Sequence, residues 1–336
     1  MKRYFARLIL FCSPFIAVIL SYFILDPFEF VHKTNDFAPP MPASRDFNST
    51  EIYIHCRNQF HYNSFIFGSS RTLAYRCYNW KNFIKDGRPF HFDASAESLT
   101  GISNKIKFIE SKGDTIKNAI ILLDRYVLDA GEMNKIYLIG HPAVTHQSWL
   151  QFHLACLKDY IHKGYFIKYI DYKIFKKIRP YMKGFIYDGT PRLKLTYPSN
   201  DFIVYGMDDD IKKDSLKHYK TVAKLKKRDS IIPENKPLIS DNNLNIFKQI
   251  YLMLNKSGSN YKIIISPLYD QVPFNKQDLQ TLITIFGKDN VFDFSGKNSI
   301  TMVQGNYYEK SHYKPYVGTS IMKMVYNGDS SFFKRY

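Results

Sequence analysis

An uncharged stretch near the N-terminus limits how this 336-residue chain can be arranged. Leu8–Leu25 contains only apolar or weakly polar residues, and as a helix it would be ~27 Å long, close to the hydrocarbon thickness of a bilayer. Inside lipid the backbone must satisfy its own hydrogen bonds, which a helix does. We therefore predict an N-terminal transmembrane helix over residues 1–26.

The charges on the two sides of this stretch differ. Lys2, Arg3 and Arg7 precede it, whereas Asp26 and Glu29 follow it. Because positive charge stays on the cytoplasmic side, we expect one pass through the inner (cytoplasmic) membrane, with the C-terminal region extracytoplasmic, in the periplasm. A cleaved signal peptide is the alternative, although the stretch is long and no Ala-x-Ala-like site follows it.

The whole chain is basic, with 47 Lys and Arg against 30 Asp and Glu and a formal net charge of +17. Outside the cytoplasm, such a surface meets anionic lipid head groups and polysaccharides. We expect no nucleic-acid partner, because the predicted topology is extracytoplasmic and no recognition motif is present. The alternative is that lysine simply occupies exposed positions.

Regular periodicity begins only after residue 60. Residues 27–60 contain several prolines and predict an extended linker. From 61 to 330, short β-branched runs such as Asn118–Leu123 and Tyr261–Ile265 alternate with segments that carry apolar residues at helical spacing. This alternation predicts an α/β fold, with a doubly wound, mostly parallel sheet.

A different composition interrupts this pattern at about 131–237. The segment is dense in Tyr, Phe and Lys and shows no strand period, which predicts a mostly helical insertion. Its aromatic side chains either form core or stack on sugar rings.

The four cysteines are Cys12, Cys56, Cys77 and Cys156. Cys56 and Cys77 flank the first predicted strand and turn, so they either form a disulfide or remain buried free thiols. No Cys or His spacing is typical of a zinc site, and we expect neither a metal nor a cofactor.

Two short motifs lie at opposite ends of the α/β region. A Gly-Ser-Ser turn that includes Ser70 follows the first predicted strand, and Glu309 precedes His312 by three residues after the last one. Carboxyl ends of parallel strands share one edge of a sheet, so the two motifs can meet there. A serine hydroxyl, a histidine base and a carboxylate that orients it are the parts of a nucleophilic triad.

Together, these motifs resemble the SGNH/GDSL hydrolase superfamily, whose first block ends in its catalytic serine and whose last block is Asp-x-x-His. The resemblance implies that Ser70 is the nucleophile, His312 the general base and acid, and Glu309 the orienting acid, in place of the usual Asp. The N-terminal anchor and the Gly-Ser-Ser turn resemble the membrane-anchored branch, which includes the teichoic-acid D-alanylation and alginate O-acetylation proteins.

The two middle blocks depart from the superfamily, which usually supplies a Gly and an Asn to the oxyanion hole. Here a backbone N–H near Ser95 would have to serve after the second strand, and Asp124-Arg125 follows the third. Arg125 would aid the oxyanion or bind an anionic substrate, or else form a structural ion pair with Asp124. Arg71, beside the nucleophile, is a further candidate. Each lost oxyanion donor costs ~3 kcal/mol.

The resemblance implies a serine-dependent acyl-ester hydrolase or O-acyltransferase that acts on a cell-envelope polysaccharide or another acylated glycan. Transfer would also need a membrane partner protein that delivers the acyl group. The alternative is a catalytically degenerate glycan-binding or scaffold protein of an envelope-assembly complex.

Overall fold

The computed structural model describes residues 2–32, 44–129, 139–182, 185–186, 193–221 and 236–336. The chain divides into two compact units. The smaller unit comprises Met1–Asn48 and Met133–Thr190, and the larger comprises Ser49–Glu132 and Pro191–Tyr336.

The strands of the described residues all belong to the larger unit. They are β1 (Ser64–Phe67), β2 (Pro89–His91), β3 (Asn118–Leu123), β4 (Leu193–Thr196), β5 (Asp201–Val204), β6 (Asn260–Ile265), β7 (Val291–Asp293), β8 (Tyr307–Glu309) and β9 (His312–Tyr313). Five of them form a parallel sheet in the order β2-β1-β3-β6-β7. β4 pairs antiparallel with β5, and β8 with β9.

Longer and shorter helices connect these strands. They are α1 (Lys2–Leu25), α2 (Arg45–Phe60), α3 (Cys77–Trp80), α4 (Leu99–Ser111), α5 (Arg125–Asp129), α6 (Pro142–Thr145), α7 (Trp149–His162), α8 (Tyr165–Phe175), α9 (Tyr205–Lys213), α10 (Ser215–Thr221), α11 (Asp241–Lys256), α12 (Lys276–Phe286), α13 (Ser299–Met302) and α14 (Pro315–Asn327).

The parallel sheet is buried on both faces, as its uninterrupted apolar strands predict. All six residues of β3 are buried. On one face, Ile120 and Ile264 share a core cluster with Val317 of α14. On the other face, the ring of Tyr53 from α2 packs against that of Phe65, with centroids 6.0 Å apart. The predicted α/β class with a mostly parallel sheet is therefore confirmed.

The smaller unit contains the predicted N-terminal helix, α1. Its residues Arg3–Leu25 are long and apolar enough to cross a membrane, and only 6% of the most apolar window is buried. The end of α1 packs on α7 and α8, where Tyr160, Tyr165 and Tyr169 belong to one buried cluster. For these residues, the interpretation of the insertion's aromatics as core is correct.

Two predicted boundaries are wrong. Residues 45–60 of the predicted extended linker form a helix, because its prolines all lie before residue 45, and residues 33–43 of the linker lie outside the described residues. The insertion at 131–237 is not one body, since residues to Thr190 belong to the smaller unit and those from Pro191 to the larger. It also contains the hairpin β4–β5.

The cysteines are free thiols. Cys56 and Cys77 are both buried, and the Cys56 thiol donates to the hydroxyl of Tyr197 at 3.0 Å. The disulfide alternative is therefore wrong, and the free-thiol alternative is correct.

Candidate active site

Ser70 lies in the turn after β1, and this turn depends on a glycine, Gly68. Gly68 has φ +144°, and a Cβ there would lie 2.8 Å from the carbonyl oxygen of Leu122. Only glycine fits this backbone and this close approach to β3. Ser70 then begins a 3-10 helix that runs to Ala74, so its side chain emerges at the carboxyl end of β1.

The late motif meets this turn. The Nε2 atom of His312 lies 2.8 Å from the Oγ atom of Ser70, and Nδ1 is hydrogen-bonded to the carboxylate of Glu309. Because a carboxylate only accepts, Nδ1 carries the proton and leaves Nε2 to accept from the serine hydroxyl. The His312 side chain is 29% exposed, so the pair is open to a substrate.

A small hairpin positions the histidine and the glutamate. Glu309 ends β8 and His312 begins β9, so the two are cross-strand neighbours. The other carboxylate oxygen of Glu309 accepts the N–H of Ser311 at 3.0 Å. Both oxygens of this carboxylate are therefore held, and its direction toward the imidazole is fixed.

Two tyrosines attach the hairpin to the carboxyl edge of the sheet. The hydroxyl of Tyr307 donates to the carbonyl of Pro267, after β6, at 2.9 Å. The hydroxyl of Tyr313 lies 3.4 Å from that of Ser266 and 3.3 Å from that of Tyr75. Burial raises the pKa of Tyr313 to about 12, so its hydroxyl stays neutral. These contacts hold His312 beside the turn after β1.

The sequence of this chain matches no known protein-family model and no curated protein. The function must be inferred from the site.

The site lies where the order of the strands reverses. From β1 the sheet grows in one direction to β2. It then grows in the opposite direction through β3 and β6 to β7, so the reversal falls between β1 and β3. Crevices at such points are the usual ligand sites of open α/β sheets. Here, Arg71 after β1 donates to Asp124 after β3 at 3.0 Å, which places Ser70 at this reversal.

All four predicted oxyanion or substrate residues have identified partners or neighbours. Asp124 is paired with Arg71, not with Arg125 as the structural alternative proposed. Arg125 forms a bidentate pair with Asp270 instead. Ser95 lies in the loop after β2, next to Ala94, whose N–H donates to the Gly68 carbonyl at 3.3 Å.

Arg71 itself is the residue of this group with unused hydrogen-bonding capacity. Its side chain is 10% exposed, and its buried Nε has no hydrogen-bond partner among the residues that the structure describes. A buried N–H of this kind is costly unless another group accepts from it.

Sequence analysis missed a buried polar network below the Ser70 turn. His91 at the end of β2 donates from Nδ1 to Asp201 at 3.2 Å, and its Nε2 is 2.8 Å from the Thr72 hydroxyl. That hydroxyl donates to the Ser69 carbonyl at 2.8 Å. No sequence signal joins these residues, because they are far apart along the chain. The network fixes the backbone immediately before Ser70.

The same network brings together metal-binding residue types. Cys77, His91 and Asp201 are buried, and the atoms that could bind a metal lie within 4.8 Å of one another. Among the described residues, no other group of three or more His, Cys, Asp or Glu side chains is clustered in this way. Burial acts to raise the pKa of the Asp201 carboxyl, but hydrogen bonds from His91 and the Cys77 amide outweigh it and hold the pKa below its ordinary value. Both imidazole nitrogens already have partners, so the cluster is satisfied as a hydrogen-bond network.

Proposed function

We propose that this protein is a serine-dependent acyl-ester hydrolase or O-acyltransferase, with Ser70 as nucleophile. The observation that carries the proposal is the 2.8 Å contact between Ser70 Oγ and His312 Nε2, with Glu309 on the opposite nitrogen. Nucleophile, base and orienting acid are thus in the hydrogen-bonded order that acyl transfer requires.

In the first half-reaction, His312 takes the proton of the Ser70 hydroxyl as Oγ bonds to the acyl carbonyl carbon. The tetrahedral intermediate collapses as the bond to the leaving oxygen breaks, and His312 returns the proton to that oxygen. In the second half-reaction, His312 deprotonates water or a sugar hydroxyl as its oxygen bonds to the carbonyl carbon of the acyl-serine. The bond between that carbon and Ser70 Oγ then breaks, and His312 returns the proton to Oγ. The attacking group decides between hydrolysis and transfer.

Arg71 supports binding of an anionic oxygen at this site. Its Nε is a buried donor without a protein partner among the described residues. We assign the positively charged, 10% exposed side chain of Arg71 to the substrate, either to the developing oxyanion or to an acidic group nearby. A well-placed donor of this kind contributes ~3 kcal/mol to the transition state, which would offset part of the missing Gly and Asn donors.

Membership of the SGNH/GDSL superfamily is part of the proposal. It is supported by the parallel sheet, the serine after its first strand and the histidine after its last. The superfamily's membrane-anchored branch suggests an envelope polysaccharide or another acylated glycan as substrate, and a membrane protein as acyl donor.

The proposed substrate requires the larger unit to be outside the cytoplasm. We expect a C-terminal alkaline phosphatase fusion to be active and a cytoplasmic reporter fusion to be inactive, because Lys2, Arg3 and Arg7 precede α1. The opposite pattern of reporter activity would overturn both the inner-membrane orientation and the glycan substrate.

A fluorophosphonate probe tests the chemistry directly. We expect it to label the wild-type protein and a control Ser331→Ala variant, in which the replaced serine is exposed, but not a folded Ser70→Ala variant. Absence of wild-type labelling, or equal labelling of Ser70→Ala, would exclude the serine mechanism. Glycan affinity retained in that case would favour the scaffold function.

A further inference from the structure

The segment of residues 149–182 in the smaller unit, here called the α7–α8 segment, carries apolar side chains that its own core does not use. On α7, Phe152, Cys156 and Tyr160 form the buried stripe. Leu150, Leu154 and Ile161 lie on a different stripe, spaced by four and seven residues, and are 69%, 55% and 44% exposed. Spacings of four and seven place them on one face of the helix.

The next helix repeats this arrangement. Tyr165 and Tyr169 of α8 are buried, whereas Ile167 and Ile174, seven residues apart, are 55% and 66% exposed. Two consecutive helices therefore each have one apolar face in the core and a second one uncovered. Exposed apolar side chains grouped on one face in this way are typical of an interaction site.

The contacts of α1 show where this surface lies relative to the predicted transmembrane helix. Ser21 and Tyr22, near the end of α1, are hydrogen-bonded to Tyr160 at 3.1 Å and to His153 at 3.0 Å. Adjacent residues of α1 thus meet residues of α7 that are ~10 Å apart along its axis. α7 is therefore held at two positions by the end of α1, where α1 would leave the bilayer if it spans it.

The charges of the α7–α8 segment are those of a surface that meets anionic head groups. The segment contains seven Lys and Arg and only two Asp. Both aspartates have basic partners, with Asp159 paired to Lys163 and Asp171 to Arg179. The net excess is positive, and exposed lysines such as Lys158 flank the apolar stripes.

We propose that the α7–α8 segment is an interfacial membrane-binding element. Its exposed aliphatic stripes enter the outer boundary of the bilayer beside the end of α1, and its lysines bind anionic lipid head groups. Apolar residues on one face and Lys on its border are the composition of helices that lie in the interface. The protein then has a second attachment that fixes the smaller unit on the membrane surface.

A lipid-depth measurement on the full chain tests this. Leu154→Cys, in a Cys12→Ala background, carries an environment-sensitive nitrobenzoxadiazole dye, and the protein is reconstituted in vesicles of phosphatidylcholine and phosphatidylglycerol. The other native thiols are buried, and burial raises the pKa of Cys156 to about 12, so they label poorly. Leu252→Cys is the matched control, since Leu252 is a 63% exposed helical leucine of the larger unit.

We expect the dye at 154 to emit at shorter wavelength than at 252. We also expect spin-labelled lipids to quench it at least about fivefold more strongly, because interfacial helices insert about 5–10 Å. A dye at Ile174→Cys should behave in the same way. If the dyes at 154 and 174 report water as at 252, the membrane assignment is overturned, and a protein partner becomes the occupant of the stripes.

Discussion

A His312→Gln variant is expected to hydrolyse a chromogenic acetyl ester at least about ten-thousand-fold more slowly than the wild type, because loss of the base disables the whole triad. Glutamine can still hydrogen-bond Ser70 but cannot take its proton. The loss should fall on kcat, since the imidazole acts on the reacting atoms. The double variant Ser70→Ala/His312→Gln should be no slower than either single variant, because the two residues act as a unit.

A second histidine provides the control for this prediction. His55 also faces a glutamate, with Nδ1 3.6 Å from the carboxylate of Glu51, and its side chain is 40% exposed. His55→Gln removes the same chemical group from a similar pair outside the site, and we expect activity to be unchanged. If His312→Gln remained within about tenfold of the wild type, a base catalyst at this position would be excluded.

The sequence predicted the central sheet because its inner strands are rich in consecutive apolar residues. Asn118–Leu123 is a strand over the same residues that periodicity gave, and all six are buried. Ser70, Glu309 and His312 could also be paired in advance, because carboxyl ends of parallel strands share an edge. The 2.8 Å contact between serine and histidine follows from that topology.

The helix α2 was missed because polar residues interrupt its buried face. Ser49 and Thr50 are fully buried between apolar positions, and the Ser49 hydroxyl donates to the carbonyl of Asp93 at 2.9 Å. The helical spacing of apolar residues cannot be recognised in a sequence when hydrogen-bonded polar side chains occupy some of the buried positions. The burial of Ser49 is explained only by its hydrogen bond to Asp93, which is distant in sequence.

The ion-pair partners of the charged site residues could likewise not be predicted from the sequence. Asp124 and Arg125 are adjacent in the chain, yet each pairs with a residue far from it, Arg71 and Asp270. Neighbouring residues on a turn point in different directions, so sequence adjacency does not predict an ion pair there. Tertiary geometry decides which charges meet.

Glu309→Gln is the second large effect we expect, a loss of at least about a hundredfold and up to about ten-thousand-fold in kcat. The substitution keeps the size of the side chain but removes the charge that stabilises the imidazolium formed as Ser70 is deprotonated. Asp124, which follows β3, and Asp293, which ends β7, do not replace it, because Asp124 is paired with Arg71 and Asp293 with Arg335. KM should change little, since Glu309 acts through His312 as a positioning residue.

Glu309→Asp distinguishes this role from a structural one. It restores the carboxylate that the SGNH/GDSL superfamily usually has but shortens the side chain by one methylene. The N–H of Ser311, now 3.0 Å from one oxygen of Glu309, remains available to hold the shorter carboxylate near the imidazole. We therefore expect Glu309→Asp to retain activity within about tenfold while Glu309→Gln does not. Equal activity of Glu309→Gln and the wild type would reduce the proposed triad to a Ser70–His312 dyad, with Glu309 a surface residue beside it.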